Sequence, residues 1–259
     1  MLVLEPGRIS ELARRLANAE RDAAEIEPLT AELPSLEVEQ AYAIQAELVR
    51  VKDERIIGYK MGLTSKAKME QMGVHSPIYG VLTGRMFRPD GAEFPLAGTI
   101  HPRIEPEIAF RLGRELKGRP SPEEALAACS NVCAALEIID SRYKAFKFKL
   151  PDVVADNSSC KAFVLGTWQP VPTIQKLGAL AMSLTVGGKA VRNGNSSHIL
   201  GNPANSLATL VGMLSDRGLR LAKGAVVLAG AATEAVALES GAIVEAEVEE
   251  LGRASVTAR

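Results

Sequence analysis

The stretch that decides the fold reads HPRIEPEIAF and runs from His101 to Phe110. In an extended strand, alternate side chains face opposite sides, so Glu105 and Glu107 project from one face a single pleat apart. Two like charges roughly 7 Å apart repel unless a cation lies between them, and carboxylate oxygens suit a hard cation such as Mg²⁺. The stretch therefore predicts part of a metal site on a strand; the alternative is a solvated strand face.

A third acid favours the metal site. Glu137 lies inside a mostly apolar run of strand-like length, from Ala134 to Asp140. A lone carboxylate in such a run is costly to bury without a partner. If the two strands are neighbours, Glu105, Glu107 and Glu137 share one divalent ion. Because Mg²⁺ leaves coordination positions to water or substrate oxygens, we expect a catalytic site rather than a closed structural one.

Composition and charge indicate a globular protein that acts on a small molecule. The 259 residues carry 30 basic and 31 acidic side chains, interspersed along the chain, which argues against nucleic acid or an anionic membrane as the partner. No apolar stretch approaches the roughly 20 residues of a membrane span, and the N-terminus lacks the pattern of a secretory signal. Three cysteines, none at zinc-ligand spacing, favour the reducing cytoplasm.

Periodicity predicts an α+β fold with helices first and short strands later. Apolar side chains at helical spacing predict helices over 7–20 and 36–52, the second capped by Ser35, within a helical cap of residues 1–55. Residues 56–259 are expected to form one catalytic domain. Its predicted strands are 56–62, 101–110, 134–140, 160–166, 180–186, 189–192, 225–229 and 242–250. Its predicted helices run from Ser65 through Met72, from Ser121 to about Cys129, and from Asn202 to Gly218.

Lys60 is the candidate for proton transfer. It lies between Gly58 and Gly62, and paired glycines are typical of a strand under close backbone approach. A lysine held there is expected to point into a pocket, where burial and a neighbouring cation would lower its pKa and suit it to acid–base work. The alternative is an ordinary surface lysine.

Three other segments carry polar or pocket-forming residues. Arg142 lies in residues 140–148, which are dense in aromatic side chains. Its guanidinium could bind a carboxylate through two parallel hydrogen bonds; the alternative is a basic surface turn. Residues 156–159 form a polar cluster, either a turn or a substrate-binding edge. Proline and glycine break residues 74–100 into loops and short strands, an arrangement that would suit a lid over the site.

These residues together resemble the 4-oxalocrotonate decarboxylases, which belong with the 2-hydroxypentadienoate hydratases in the fumarylacetoacetate hydrolase superfamily. The matching motifs are Gly58–Ser65, Met72–Val74, Pro77–Gly80, His101–Phe110, Ile139–Tyr143 and Val154–Asn157. Met61, Ile78–Tyr79 and the sequence from Tyr143 to Phe148 follow the decarboxylases rather than the hydratases. The likeness covers nearly the whole chain.

The resemblance implies a mixed β-roll core with an N-terminal helical subdomain, and one Mg²⁺, or Mn²⁺ in its place, on the three glutamates. It implies decarboxylation of 4-oxalocrotonate (2-oxohex-3-enedioate) to 2-hydroxypenta-2,4-dienoate and CO₂ in the meta-cleavage catabolism of aromatic compounds. The expected catalytic residues are Lys60, Arg142 and Asp156, and the expected substrate-binding residues are Leu63, Ser158, Ser159 and Thr233. The expected partners are other copies of the chain, in a homo-oligomer, and a 2-hydroxypentadienoate hydratase.

Two other functions stay open at this point. The chain could hydrate 2-hydroxypenta-2,4-dienoate to 4-hydroxy-2-oxopentanoate with the same metal, or it could be a non-catalytic partner that stabilises a hydratase. Departures from the family pattern at Asn202, at Ser197–His198 and in Ala229–Glu234 bear on this choice. In particular, Glu234 would repel a substrate carboxylate if that turn holds one.

Overall fold

The computed structural model describes residues 4–65, 69–70 and 76–259. Its helices are α1 (Pro6–Asp22), α2 (Leu29–Glu32), α3 (Val38–Lys52), α4 (Pro122–Leu126), α5 (Leu150–Ala155), α6 (Ile174–Leu177) and α7 (Pro203–Ser215). Its strands are β1 (Ile56–Gly62), β2 (Ile78–Thr83), β3 (Phe87–Arg88), β4 (Ala92–Phe94), β5 (Arg103–Leu112), β6 (Cys129–Ile139), β7 (Cys160–Leu165), β8 (Ala181–Val186), β9 (Lys189–Asn195), β10 (Val226–Leu228), β11 (Val236–Ala237), β12 (Ile243–Val248) and β13 (Gly252–Ala258). The helix predicted from Ser65 through Met72 lies largely outside the described residues.

The larger sheet brings the two carboxylate strands together. Its order is β2-β1-β10-β5-β6-β7-β3, with β11 beside β5. β5 and β6 pair antiparallel with Glu105 directly opposite Glu137, whereas β1 and β10 pair parallel. The predicted α+β class with a mixed sheet is therefore confirmed.

The strand pairing around Pro106 explains how a proline fits inside β5, a central strand. One edge of β5 pairs with β6 over its length, but the other edge pairs with β10 only at residues 109–111 and with β11 only at residues 103–104. Proline has no N–H to donate, so it suits a part of the strand where one edge has no partner strand. The gap between β10 and β11 along this edge also lets the loop that follows β10 reach Glu107.

The smaller sheet has the order β4-β13-β12-β8-β9. The predicted turn between β8 and β9 is present, with Gly187 and Gly188 at φ values of 57° and 77°. β13 was not predicted, because its buried face consists of Ala254, Val256 and Ala258, small side chains that give a weak apolar alternation.

The N-terminal helices share one hydrophobic core with the larger sheet. Leu12 of α1 and Ile44 of α3 belong to the same buried cluster as Ile108 and Phe110 of β5. The predicted helix positions are confirmed, but the predicted cap of the second helix is wrong. Glu37 caps α3, and its backbone N–H donates to the Gln40 side chain at 3.0 Å.

The other helix ends follow from local contacts. Ser121 caps α4 as predicted, but the helix ends at Leu126 because the chain enters β6 at Cys129. Asn202 caps α7 as predicted, its side-chain oxygen accepting from the Ala204 N–H at 2.9 Å.

Within residues 74–100, the stretch that would suit a lid, β2 and β4 are held in the two sheets. All of β2 is buried against β1, and β4 pairs with β13 in the other sheet, so this segment is fixed in both sheets. Among the helices described, none is both long and apolar enough to cross a bilayer.

Candidate metal centre and active site

Three glutamates converge where β5 and β6 run side by side. Carboxylate oxygens of Glu105, Glu107 and Glu137 all lie within 4.8 Å of one another. The exposed fraction is 6% for Glu105 and 0% for the other two, so all three are buried. Strand alternation places the first two on one face, and the register of the strands places Glu137 opposite Glu105. The convergence predicted from the sequence is present.

The electrostatics of this cluster fit a bound cation. Burial raises the pKa of Glu107 well above its usual range, and the carboxylates of Glu137 and Glu105 raise it further. Oε1 of Glu107 has no hydrogen-bond donor within the part of the chain that the structure describes. A buried carboxylate oxygen without a donor, next to two other carboxylates, is compensated by a divalent metal with oxygen ligands.

Lys60 lies beside the cluster as an ammonium group. It projects from β1, is 3% exposed, and its Nζ lies 2.9 Å and 3.0 Å from the two carboxylate oxygens of Glu137. Burial is the largest single influence on the pKa of Lys60 and lowers it, but the charges of Glu137, Cys160 and Glu105, together with the hydrogen bond to Glu137, raise it above the usual lysine range. The prediction that burial and a neighbouring cation lower this pKa did not include the direct contact with Glu137, which the sequence does not show.

Of the two glycines around Lys60, Gly58 shows the predicted close backbone approach, whereas a Cβ on Gly62 would first meet the side chain of Ile78 at 3.1 Å. A Cβ on Gly58 would lie 1.8 Å from the carbonyl oxygen of Val226, its partner in β10. The close backbone approach needs a residue without a side chain, and it fixes β1 and Lys60 against the sheet.

Gly230 holds the candidate metal ligand Glu107 in place. Its backbone N–H donates to Oε2 of Glu107 at 2.5 Å, and its φ of 114° lies in the region that favours glycine. A Cβ here would lie 2.2 Å from Oγ1 of Thr64, so no larger residue fits without moving the loop.

We expect Gly230→Ala to weaken metal binding by about 10- to 100-fold, the usual cost of disturbing a group that orients a metal ligand. Titration calorimetry with Mn²⁺ and Mg²⁺ measures this affinity. Gly241→Ala is the matched control, because Gly241 has a similar positive φ of 82° but open space around it. Equal losses in both variants would show that backbone strain, not displacement of Glu107, is responsible.

A cavity of about 1390 Å³ opens above the carboxylates. Lys60 and Glu105 line it, and so do all four of the residues predicted to bind substrate, Leu63, Ser158, Ser159 and Thr233. The Ser159 hydroxyl is buried there without a hydrogen-bond partner among the described residues. The Ser158 hydroxyl instead donates to the Tyr79 carbonyl at 3.0 Å.

The turn that carries these serines is strained. Asn157, Ser158 and Ser159 have φ values of 50°, 52° and 57°, which are uncommon for residues other than glycine. The Asn157 side chain holds the turn against β2, accepting from the Val81 N–H at 2.7 Å and donating to the Val81 carbonyl at 2.9 Å. Strain that the surroundings maintain in this way is typical of functional sites.

Arg142 and Asp156 do not reach the cavity. Arg142 is 1% exposed, and its guanidinium forms an ion pair with the buried carboxylate of Asp156. It also donates to the carbonyl oxygens of Asp156 and Asp140, the latter at 2.7 Å. This structure does not support the predicted contact between Arg142 and substrate, because the donors of Arg142 hold Asp140 and Asp156, and Asp140 in turn donates its N–H to the Ser159 carbonyl.

The structure adds cavity residues that were not among the expected catalytic or substrate-binding residues. They are Arg103, Phe146, Lys147, Arg192 and His198. Arg103 carried a usable signal, since it lies on the same strand face as Glu105 and two residues before it. Phe146 and Lys147 lie in residues 140–148, the stretch dense in aromatic side chains, whereas Arg192 and His198 come from distant segments that no local pattern marks.

The departures from the family pattern leave the carboxylate cluster intact. Asn202 acts as a helix cap. The carboxylate of Glu234 lies at the cavity rim, 84% exposed and 3.8 Å from the guanidinium of Arg192, which offsets its charge. His198 contacts the Ala232 carbonyl through Nδ1 at 3.1 Å and so fixes the same loop.

Comparisons with known proteins agree with this geometry. A 4-oxalocrotonate decarboxylase of Pseudomonas sp. is 44% identical over 252 residues, covering 96% of this chain and 97% of the relative. A 2-hydroxyhexa-2,4-dienoate hydratase of Comamonas testosteroni is 37% identical, with 96% of each chain covered. The solved structure of 4-oxalocrotonate decarboxylase from Pseudomonas putida G7, complexed with magnesium and adipate, superposes with a TM-score of 0.94 at 33% identity over 100% of both chains. Residues 46–258 match the family described as fumarylacetoacetate (FAA) hydrolase C-terminal, and the chain belongs to that family.

Proposed function

We propose that this protein decarboxylates 4-oxalocrotonate to 2-hydroxypenta-2,4-dienoate and CO₂. The observation that carries the proposal is the buried cluster of three glutamates with Lys60, in a chain 44% identical over nearly its whole length to a 4-oxalocrotonate decarboxylase. The cavity above the cluster has room for a six-carbon dicarboxylate.

Glu105, Glu107 and Glu137 would hold Mg²⁺, with Mn²⁺ as an alternative. The fit rests on their mutual approach, their burial and the unpartnered Oε1 of Glu107. When bound, such an ion supplies a Lewis acid that draws electron density from the 2-oxo group of the substrate.

The electron movements define what the side chains must do. The C5–C6 bond breaks and CO₂ leaves, and its electron pair becomes the C4–C5 double bond. The C3–C4 pair moves to C2–C3, and the 2-oxo oxygen gains a negative charge and then a proton. Lys60 keeps a proton on Nζ and places its positive charge in the cavity beside Glu105, where it stabilises the developing negative charge. The unpartnered Ser159 hydroxyl is placed to donate to a substrate oxygen and orient the bound acid.

Lys60→Met should lower kcat by about 100-fold, because it removes a positioned proton donor and a charge close to the reacting atoms. Metal affinity should stay the same or increase, since the variant removes a cation that competes for Glu137. Steady-state kinetics at saturating Mg²⁺ and calorimetric metal titration test the two parts separately. A kcat close to that of the wild type would return Lys60 to a structural role.

The hydratase reading is the second candidate, because a hydratase relative is 37% identical over the same length. One assay separates the two. The purified protein with Mg²⁺ is offered 4-oxalocrotonate and, separately, 2-hydroxypenta-2,4-dienoate, while CO₂ release and dienoate absorbance are followed. We expect CO₂ release from the first. Loss of the dienoate without CO₂ release would favour the hydratase, and activity on neither compound would favour a non-catalytic partner.

A further inference from the structure

We infer that Arg103 binds the second carboxylate of the substrate and so lets the site prefer a dicarboxylate to a monocarboxylate. The inference rests on the proposed function, and it assigns a specificity role to a residue outside the glutamate cluster. It starts from the position of Arg103 on β5, two residues before Glu105 and on the same face of the strand.

The spacing along the strand matches the length of the substrate. Arg103, Glu105 and Glu107 project from one face of β5, and both Arg103 and Glu105 line the cavity. Residues two apart in a strand are separated by roughly 7 Å. The terminal carbons of an extended six-carbon chain are roughly 6 Å apart. If a metal ion on the glutamates held one end of a six-carbon dicarboxylate, the other end would lie within reach of Arg103.

Arg103 is also the cavity arginine with an uncommitted charge. Within residues 4–65, 69–70 and 76–259, no carboxylate forms an ion pair with its guanidinium, whereas Arg192 lies near Glu234 and Lys60 contacts Glu137. A planar guanidinium can hold a carboxylate through two parallel hydrogen bonds. Lys147 also lines the cavity, but its ammonium group lacks that paired geometry.

An aromatic platform holds the guanidinium in position. The carbon centre of the Arg103 guanidinium lies 4.7 Å from the centroid of the Phe146 ring, within the range of a cation–π contact. Phe146 and Ala145 have φ values of 57° and 53°, and the Ala145 N–H donates to Glu25 at 3.0 Å. The segment after α1 therefore fixes the platform, which lowers the entropy that Arg103 loses when it binds a ligand.

The reaction limits how Arg103 can contribute. The carboxylate that it holds leaves as neutral CO₂, so the ion pair is strongest before the bond breaks and weakens as it breaks. An interaction made in the ground state lowers KM and does not raise kcat. Arg103 thus contributes to substrate selection and binding, while the chemistry depends on the glutamates and Lys60.

The test compares two ligands of equal chain length, adipate and hexanoate, in competition with the substrate at saturating Mg²⁺. Arg103→Met keeps the length of the side chain and removes the charge. We expect the variant to bind adipate about 10- to 100-fold more weakly, the usual value of a charged hydrogen bond, and to bind hexanoate as the wild type does. KM should rise and kcat should not fall, because the contact weakens as the C5–C6 bond breaks. Phe146→Leu should weaken the binding of adipate by only about two- to fivefold.

Arg220→Met is the control, because Arg220 is an exposed arginine paired with Glu115 and lies outside the cavity lining. Unchanged adipate binding in Arg103→Met, or an equal loss of adipate and hexanoate, would overturn the inference. A wild type that turns over 4-oxalocrotonate and yet does not prefer adipate would also overturn it, leaving the proposed function intact. A wild type without CO₂ release from 4-oxalocrotonate would instead defeat the proposed function.

Discussion

Glu107→Gln is expected to abolish magnesium-dependent turnover and leave the protein folded. The substitution keeps the shape of the side chain and removes one of three charges that lie within 4.8 Å of one another. Mutating a residue that only orients a metal ligand already lowers metal affinity or activity by about 10- to 100-fold. Losing a ligand itself should therefore reduce metal affinity and turnover by at least about 100-fold. Calorimetric titration with Mg²⁺ and a CO₂-release assay measure the two losses.

Stability should move in the opposite direction. In chelator, the wild type keeps three buried carboxyl groups that repel one another, and burial together with this repulsion raises the pKa of Glu107. Glu107→Gln relieves part of the repulsion, so its Tm in chelator should equal or exceed that of the wild type. Mg²⁺ should raise the Tm of the wild type and have little effect on the variant, because only the wild type binds it tightly.

Glu93→Gln provides the matched control for this variant, since Glu93 is an exposed glutamate that pairs with Arg259 far from the cluster. It should keep wild-type turnover and the wild-type response to Mg²⁺. Turnover by Glu107→Gln in the presence of chelator would contradict the mechanism, because it would show that the carboxylate cluster is not needed for the chemistry.

The cluster of three glutamates could be predicted because the features that place each carboxylate lie in short stretches of sequence. Alternation along β5 determines that Glu105 and Glu107 share a face, and an apolar run around Glu137 indicates that its carboxylate is buried. The register of β5 and β6 cannot be derived from the sequence, and it is this register that places Glu137 opposite Glu105, because a slip of one residue would turn Glu137 to the other face of the sheet. The same locality explains why Lys60, between two glycines, was correctly expected at a pocket.

The incorrect predictions concern contacts between distant segments. The charge state of Lys60 depends on Glu137, which is 77 residues away in the chain. Arg142 was expected to contact substrate because a guanidinium suits a carboxylate. In the structure the carboxylate that it contacts belongs to Asp156 of the same chain. Residue type indicates the chemistry that a side chain can perform, whereas tertiary packing decides which partner it meets.

Arg142→Met is expected to lower the free energy of unfolding by about 3–5 kcal/mol, because it leaves the Asp156 carboxylate buried without its counter-charge. Asp156 is fully buried, with 0% of its side chain exposed in this ion pair. The guanidinium also binds the backbone carbonyls of Asp140 and Asp156, so Arg142→Lys should recover only part of the loss, since an ammonium group cannot serve all these acceptors at once. Urea unfolding measures both variants.

The comparison with a surface pair separates burial from charge pairing. Arg119 also pairs with an aspartate, Asp216, at 2.7 Å, but the two side chains are 75% and 53% exposed. Arg119→Met should therefore cost only about 0–1 kcal/mol. If Arg142→Met instead kept its stability and lost adipate binding, Arg142 would be a substrate ligand after all. We expect a large loss of stability, with Mg²⁺ affinity retained in the folded protein. This result would show that Arg142 holds the serine turn beside the three glutamates.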